Sequence, residues 1–507
     1  MSDPSGPERS PDPLRFTILA GSASTSGPRL GLLTHDARNT LETPHYIADT
    51  SRGVIPHITQ DTFRRHTDVK GVYVALEDFV EKAPLKTPPI YLQPTTTSPS
   101  STLRTFTALP DTTLSILAPR RLSPIPSPNP NSSSSLAICT SVGFSALSIA
   151  TYISAAAPSL NPDILVAPAD IPHGNPAPSL KRRVKMLDRT ASWLTDLQRA
   201  KGRVGGDYAV FAAVLPLPVE AQRWYLDSLL DAVTDDGHGD GEGHALPAGL
   251  AIYDPSAIPA LPQPLTHLPR LCLAPAHSPS QLLHSIALGA DLTLAPFLST
   301  ATDAGIALTF TFPAPRGASP ESKSDSESDS QQQQAEKHPL GTSLWNPTAH
   351  ALSTAPLQAG CACYTCARHH RAYVHHLLAA GEMLAWTLVQ VHNLACLEGF
   401  FRGVRGVLGG EGEGGIVDGG EGEGGMEGRV KGRFEEERAR FEDWYEVEMP
   451  VSEGVRPRGR GYMGLGLGSA DGGGRGRGKG KLNGGGKWKG GGLGMGMGMG
   501  KGGMRRL

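Results

Sequence analysis

No stretch of this sequence stays apolar for the roughly 20 residues that a membrane-spanning helix needs. The richest run, Leu377–Leu394, is interrupted by Glu382, Gln390 and His392 and reads as a core helix. The N-terminus, MSDPSGPERSPDP, has no apolar stretch of the kind that drives secretion. Cysteine is also scarce, with six in 507 residues. Without a secretion signal, so few thiols argue against a disulfide framework. Neither sign of charge dominates: 47 Lys and Arg stand against 49 Asp and Glu, a formal net charge of -2. These absences lead us to expect an intracellular, soluble chain with no integral membrane span.

What is abundant is Gly and Pro, 61 and 43 residues, unevenly placed. Much of that excess lies in low-complexity stretches. Residues 1–13 are polar and Pro-rich, and 314–338 (PRGASPESKSDSESDSQQQQAEKHP) hold almost no apolar side chains, so both are expected to be disordered. A Gly/Glu-rich insertion occupies 409–428. It separates two expected helices, Arg371–Leu408 and Arg433–Val447, the second within a C-terminal helical segment at 429–450. Residues 451–507 form a Gly-rich tail in which Lys and Arg outnumber a single acid, Asp471, from Val455 on.

Between these segments the pattern is regular. RFTILA, GLLT, YIAD and GVYVAL are strand-like, with a hairpin expected at the start. After a Thr/Ser/Pro-rich stretch at 93–135, broken by LSILAP, strands and helices alternate. Leu136–Cys139 reads as a strand, ALSIATYISAAA as a helix and PDILVAPAD as a strand. KRRVKMLDRTASWLTDLQRA reads as an amphipathic helix and YAVFAAVLP as a buried strand. The alternation continues through PVEAQRWYLDSLLDAV, AGLAIYD, RLCLAP, PSQLLHSIALGA, ADLTLAP and IALTFTF. Such alternation predicts a parallel sheet with crossover helices, and a count near eight favours an α/β barrel.

The strongest chemistry lies in CACYTCARHHRAYVHHLLAAGEMLAWTLVQVHNL. Cys361, Cys363 and Cys366 share one tight turn, and His392 follows 26 positions after the last of them. Three thiolates and an imidazole are the ligand set of a tetrahedral structural zinc, with a helix carrying the histidine back to the loop. Four protein ligands leave no open coordination position for hydrolysis. The bland alternative is three reduced, unliganded thiols, and His369, His370, His375 or His376 could stand in for His392. Cys139, Cys272 and Cys396 are isolated and read as buried apolar thiols.

The segment from Cys361 to Leu394, with RAYVHHL and the closing HNL, resembles the zinc-binding signature of the tRNA-guanine transglycosylase family. GPRLGLLT and TPHYIADTSRGVIPHIT resemble its N-terminal segment, especially that of the eukaryotic accessory subunit. PDILVAPADIP, KRRVKMLDRTASWL and LPRLCLAPAHSPSQLLHSIALGADL match later units, so the resemblance runs from about Arg15 to Leu408. It implies a (β/α)8 TIM-type barrel over 14–408 with a zinc subdomain at about 355–408, holding one structural Zn2+. The family's enzymes exchange guanine for queuine or a precursor at the tRNA wobble position.

The departures bear on chemistry. The family's D-S-G-G-F-Q motif is TSVGFS here, with Thr140 where the carboxylate would fall. The nucleophilic aspartate's place in GADLTLAP is taken by Leu294, and leucine forms no covalent ribosyl intermediate. The Arg-bearing segment that follows is LSTATD, and the base-reading G-G-L is reduced to Ala248–Leu250. Asp170 remains at the substrate-contacting place. The resemblance therefore implies a chain with no catalytic residues of its own. It would pair with a catalytic queuine tRNA-ribosyltransferase subunit as a heterodimer and help hold tRNA. It would act in the cytoplasm, where accessory subunits have a link to the outer mitochondrial surface. Two alternatives stand beside this. Asp291 or Asp303 could serve a self-sufficient transglycosylase. The RGRGKGK and GGGKWKGGG runs, with Trp488, could make a free RNA-binding protein, or form only a solvated extension. KRRVK (Lys181–Lys185) admits the same two readings, RNA contact or solvated helix face, and His173 and Lys181 are candidates to line the pocket near Asp170.

Overall fold

The computed structural model describes residues 13–21, 27–36, 38, 40–80, 90, 101–122, 124–140, 143–171, 177–204, 208–234, 247–316, 337–410 and 426–451. Residues 1–12, 317–336, 411–425 and 452–507, most of the segments expected at 1–13, 314–338, 409–428 and 451–507, lie outside them, as do His173 and Trp488.

In chain order, β1 (Leu14–Ala20), β2 (Leu30–His35) and β3 (Leu41–Thr43) form an antiparallel sheet, the first two as the expected hairpin. Next come β4 (His45–Asp49), α1 (Gln60–His66), β5 (Gly71–Ala75), α2 (Thr102–Thr107) and β6 (Leu114–Ala118). A hairpin of β7 (Ser135–Thr140) and β8 (Gly143–Ser148) precedes α3 (Ile149–Ser154), β9 (Ile164–Val166) and α4 (Leu180–Val204). Then follow β10 (Ala209–Val214), α5 (Arg223–Thr234), β11 (Gly249–Ile252), β12 (Arg270–Cys272), α6 (Pro279–Leu288), β13 (Leu292–Leu294) and α7 (Phe297–Asp303). The remaining elements are β14 (Ile306–Leu308), β15 (Gly341–Ser343), α8 (Pro347–His350), α9 (Tyr364–Arg368), α10 (Arg371–Ala380), α11 (Met383–Gly409) and α12 (Met426–Trp444).

Strands β4, β5, β6, β9, β10, β11, β12 and β13 close a parallel barrel in sequence order, with β13 pairing back onto β4. This is the (β/α)8 barrel. Its strands are mostly apolar because helices cover one face and the barrel interior the other. Side chains alternate accordingly. Ile47, Tyr73, Ile116, Phe211 and Leu271 fill the interior, while Tyr46, Val72, Val74, Leu117 and Val210 pack outward. Gly249 is needed where Phe211 crosses the interior, since a Cβ there would sit 2.5 Å from the ring.

The β1–β3 sheet plugs the N-terminal end of the barrel, its Leu14, Leu33 and Leu41 joining the interior cluster. Ion pairs seal the same end. Asp163 receives Arg38 (2.9 Å) and Arg104, and Asp291 receives Arg29 (2.5 Å). The opposite, C-terminal end carries Asp49, the last residue of β4, and Glu77, Asp78, Arg120, Arg121 and Asp170, which lie just beyond their strands.

Three local readings are corrected. ALSIATYISAAA is not one helix: Gly143–Ser148 pairs with β7 as a strand, and helix begins only at Ile149, capped by Ser148. The helix expected over Arg371–Leu408 breaks at Gly381, which adopts φ 72 and caps α10. The last helix is Met426–Trp444 rather than Arg433–Val447. The edges of the expected 314–338 insertion also make defined contacts, Arg316 with Glu437 (3.2 Å) and His338 in a bridge with Tyr445. Among the described residues no helix is long and apolar enough to cross a membrane.

Candidate metal centre

The ligand loop and the histidine come from elements that share a small core of their own. Leu344, Leu357, Val374, Leu378, Ala385 and Val389 bury the faces of α10 and α11 against each other, apart from the barrel. Cys363 caps α9, its Sγ accepting from the Cys366 amide at 3.4 Å. Thr365 donates its hydroxyl to the Leu388 carbonyl (2.7 Å), fixing the loop onto α11 one turn before His392.

His392 is fully buried. Its Nε2 donates to the Leu308 carbonyl of β14 at 2.8 Å, which leaves the Nδ1 lone pair facing the loop. From Nδ1 the sulfurs of Cys361, Cys363 and Cys366 lie 3.6, 3.6 and 3.4 Å away. A tetrahedron with ordinary zinc–sulfur and zinc–nitrogen bonds has an S···N edge of about 3.6 Å. All four ligand atoms lie within 4.8 Å of one another, so the cluster could hold a metal ion, and the donor set fits zinc. Sequence reasoning missed the adjacent Asn393, although HNL contains it. Its side chain accepts from the Leu308 amide (2.9 Å) and donates to Thr302 and Ile306, so His392 and Asn393 together grip one residue of β14.

The electrostatics favour a cation. Hydrogen bonds from Cys361 and Cys363 hold the Cys366 thiol well below its usual range, while the same sharing pushes Cys363 up. Burial opposes a charged His392, but the neighbouring thiols of Cys361 and Cys366 outweigh it and raise the imidazole to about 9. The other histidines stay outside the cluster. His370 caps α10, His375 bonds the Leu344 carbonyl, His369 stacks on Tyr373, and His376 is exposed. Cys139, Cys272 and Cys396 are buried singly.

At the C-terminal end of the barrel the arrangement is different. Leu294 ends β13 inside the barrel, with no carboxylate in its place. Thr140 ends β7 and donates to the Gly143 carbonyl (2.8 Å), closing the hairpin. Arg121 ties that hairpin to the barrel: it bonds Asp78 (2.7 Å) and the Cys139 carbonyl (2.8 Å). Asp170 is wholly buried and fully engaged. Its carboxylate accepts from Asn131 (2.7 Å), Arg182 (2.7 Å) and Arg189 (2.9 Å). Arg182 of the KRRVK run therefore points inward, which neither the solvated-face nor the RNA-contact reading anticipated; Lys181 and Lys185 are exposed.

The alternative carboxylates are bound elsewhere. Asp291 precedes β13, at the end of the barrel opposite Leu294's, where it takes Arg29 and the Arg270 amide. Asp303 pairs with His57 at 2.6 Å, and its carbonyl accepts from Trp386 (3.3 Å).

Comparison with known proteins agrees with this architecture. The family model described as queuine tRNA-ribosyltransferase matches residues 24–410. A queuine tRNA-ribosyltransferase accessory subunit 2 from Schizosaccharomyces pombe is 31% identical over 444 residues, covering 88% of this chain and 87% of that protein. One from Danio rerio is 27% identical over 420 residues, 76% of this chain and 94% of the relative. A queuine tRNA-ribosyltransferase from Gluconacetobacter diazotrophicus is similar over a shorter stretch, 44% identical across 68 residues, 13% of this chain and 18% of its own. A match that spans the whole barrel and the cysteine module, in one continuous order, means that the chain belongs to the queuine tRNA-ribosyltransferase family.

Proposed function

We propose that this chain is the non-catalytic subunit of a heterodimeric queuine tRNA-ribosyltransferase, supporting exchange of guanine for queuine at the tRNA wobble position in the cytoplasm. The observation that carries the reading is the state of the barrel's C-terminal end. Thr140 and Leu294 stand where the family resemblance puts the two working carboxylates, and the remaining one, Asp170, is committed to Arg182, Arg189 and Asn131. Double displacement through a ribosyl–enzyme bond needs a carboxylate nucleophile free to attack, and a separate group to move the proton.

In this reading Cys361, Cys363, Cys366 and His392 hold one structural zinc. When bound, the ion supplies cross-linking of loop to helix; the residues themselves position it through Leu308 and Thr365. The module so braced exposes several large apolar side chains, with Leu352 95%, Met383 83% and Leu384 44% accessible. Large apolar side chains left this exposed are candidates for burial in a protein contact, which supports docking of the catalytic partner on this module. The test is queuine incorporation into guanine-containing tRNA by the purified chain alone and mixed with a catalytic subunit. Silence alone and exchange in the mixture is the expected result; exchange by the chain alone overturns the reading.

A further inference from the structure

A cavity of about 790 Å³ opens beside the cysteine loop, between the end of α1, the loop before α9 and one face of α11. Its acids are already satisfied: Glu398 pairs with His45 (3.3 Å) and Arg405 (3.1 Å), and Asp68 with Lys70. Its two arginines are not. Arg65 from α1 and Arg402 from α11 are exposed, line the same cavity, and make no ion pair or hydrogen bond among the described residues. At the rim, the His66 ring stacks on Tyr364 with centroids 4.0 Å apart, leaving Tyr364 38% exposed.

A guanidinium recognises phosphate through paired N–H donors, and two of them brought from separate helices can orient one phosphate group. An exposed, already stacked aromatic ring offers its face to an unpaired base. The cavity falls within the several-hundred-Å³ range of small-molecule sites, which leaves room for a nucleotide. We infer that this cavity binds a nucleotide of the RNA backbone, its phosphate on Arg65 and Arg402 and its base against Tyr364. The inference rests on the reading of the chain as a tRNA-modification subunit and adds where this subunit grips the RNA.

The test uses the full chain, alone and with the catalytic subunit. The variants are Arg65→Ala, Arg402→Ala, the double variant, Tyr364→Ala and Tyr364→Phe. Binding of tRNA is measured across a salt series, with inorganic phosphate as competitor, and metal content and melting temperature report folding. Each arginine variant is expected to lower the slope of log K against log salt by roughly one, with the fold intact. Tyr364→Ala should weaken binding about tenfold, and Tyr364→Phe should restore it. Inorganic phosphate should compete only weakly. Competition at parity with RNA overturns the RNA assignment in favour of a free-anion site. An unchanged slope in the double variant overturns the inference, as does lost assembly with the catalytic subunit while tRNA binding persists. Failure of the subunit reading is distinguishable: base exchange by this chain alone, or none in the mixture, whatever the arginines do.

Discussion

Asp170→Ala is expected to destabilise the fold by about 3 kcal/mol, and this single substitution separates a structural carboxylate from a base-contacting one. The side chain has no solvent exposure and accepts from Asn131, Arg182 and Arg189 at 2.7–2.9 Å. Removing one partner of a buried ion pair costs about 3–5 kcal/mol, because the remaining charges lose their compensation. The two arginines are 26% and 21% exposed and can turn partly to water, which places the cost at the lower end, about 3 kcal/mol. Asp170→Asn keeps the shape and one acceptor oxygen, so about half that loss is expected. Urea unfolding at neutral pH reads both values as midpoint shifts at unchanged slope. High salt should change them little, since the carboxylate is buried. A site kept for base recognition would behave otherwise: stability unaltered within about 0.5 kcal/mol and measurable guanine binding lost on substitution. That result would refute the structural role of Asp170.

Emission spectroscopy should find one zinc per chain, and His392→Ala or Cys363→Ala should lose it. Chelation should then cost about 4 kcal/mol, the linkage for an ion present a thousandfold above its dissociation constant; a chain that melts identically with and without chelator would sink the assignment. Asp49, at the end of β4, is raised to about 7 by burial and by Asp78. The folded carboxyl thus keeps its proton to about pH 7 while the unfolded one releases it near 4. Its contribution is therefore most favourable below pH 4 and is lost as pH rises through 7. Asp49→Asn should accordingly stabilise the protein on the order of 2 kcal/mol at pH 8 and hardly at all at pH 4; an equal effect at both would contradict the shift. Gly403→Ala places a Cβ into the carbonyl oxygen of Phe312, which is backbone and cannot swing away. Thermal melting should show a loss of about 3 kcal/mol or more, and a neutral result would mean that α11 does not sit this close.

The sequence by itself determined what depends on neighbours along the chain. The cysteines lie within six residues and the histidine on the following helical segment, so their spacing already specified a four-ligand cluster, and the alternating apolar runs specified the barrel. The substitutions Thr140 and Leu294 were equally plain. Local preference was a poor guide where it is weak: Ala, Leu and Ser around 146–148 suit a helix, but pairing with β7 decided for strand. Gly381 was a helix-ending signal in plain view within an otherwise continuous apolar pattern. Only the tertiary structure decided which carboxylates are available. Asp170 meets Asn131, 39 positions earlier, and Asp291 meets Arg29, 262 positions away. Those partners are set by barrel closure, which brings distant strand ends together in a way that no local spacing encodes. The same closure puts Asp291 and Leu294, three residues apart, at opposite ends of one strand, because a strand rises about 3.3 Å per residue and the barrel's two ends face different surroundings.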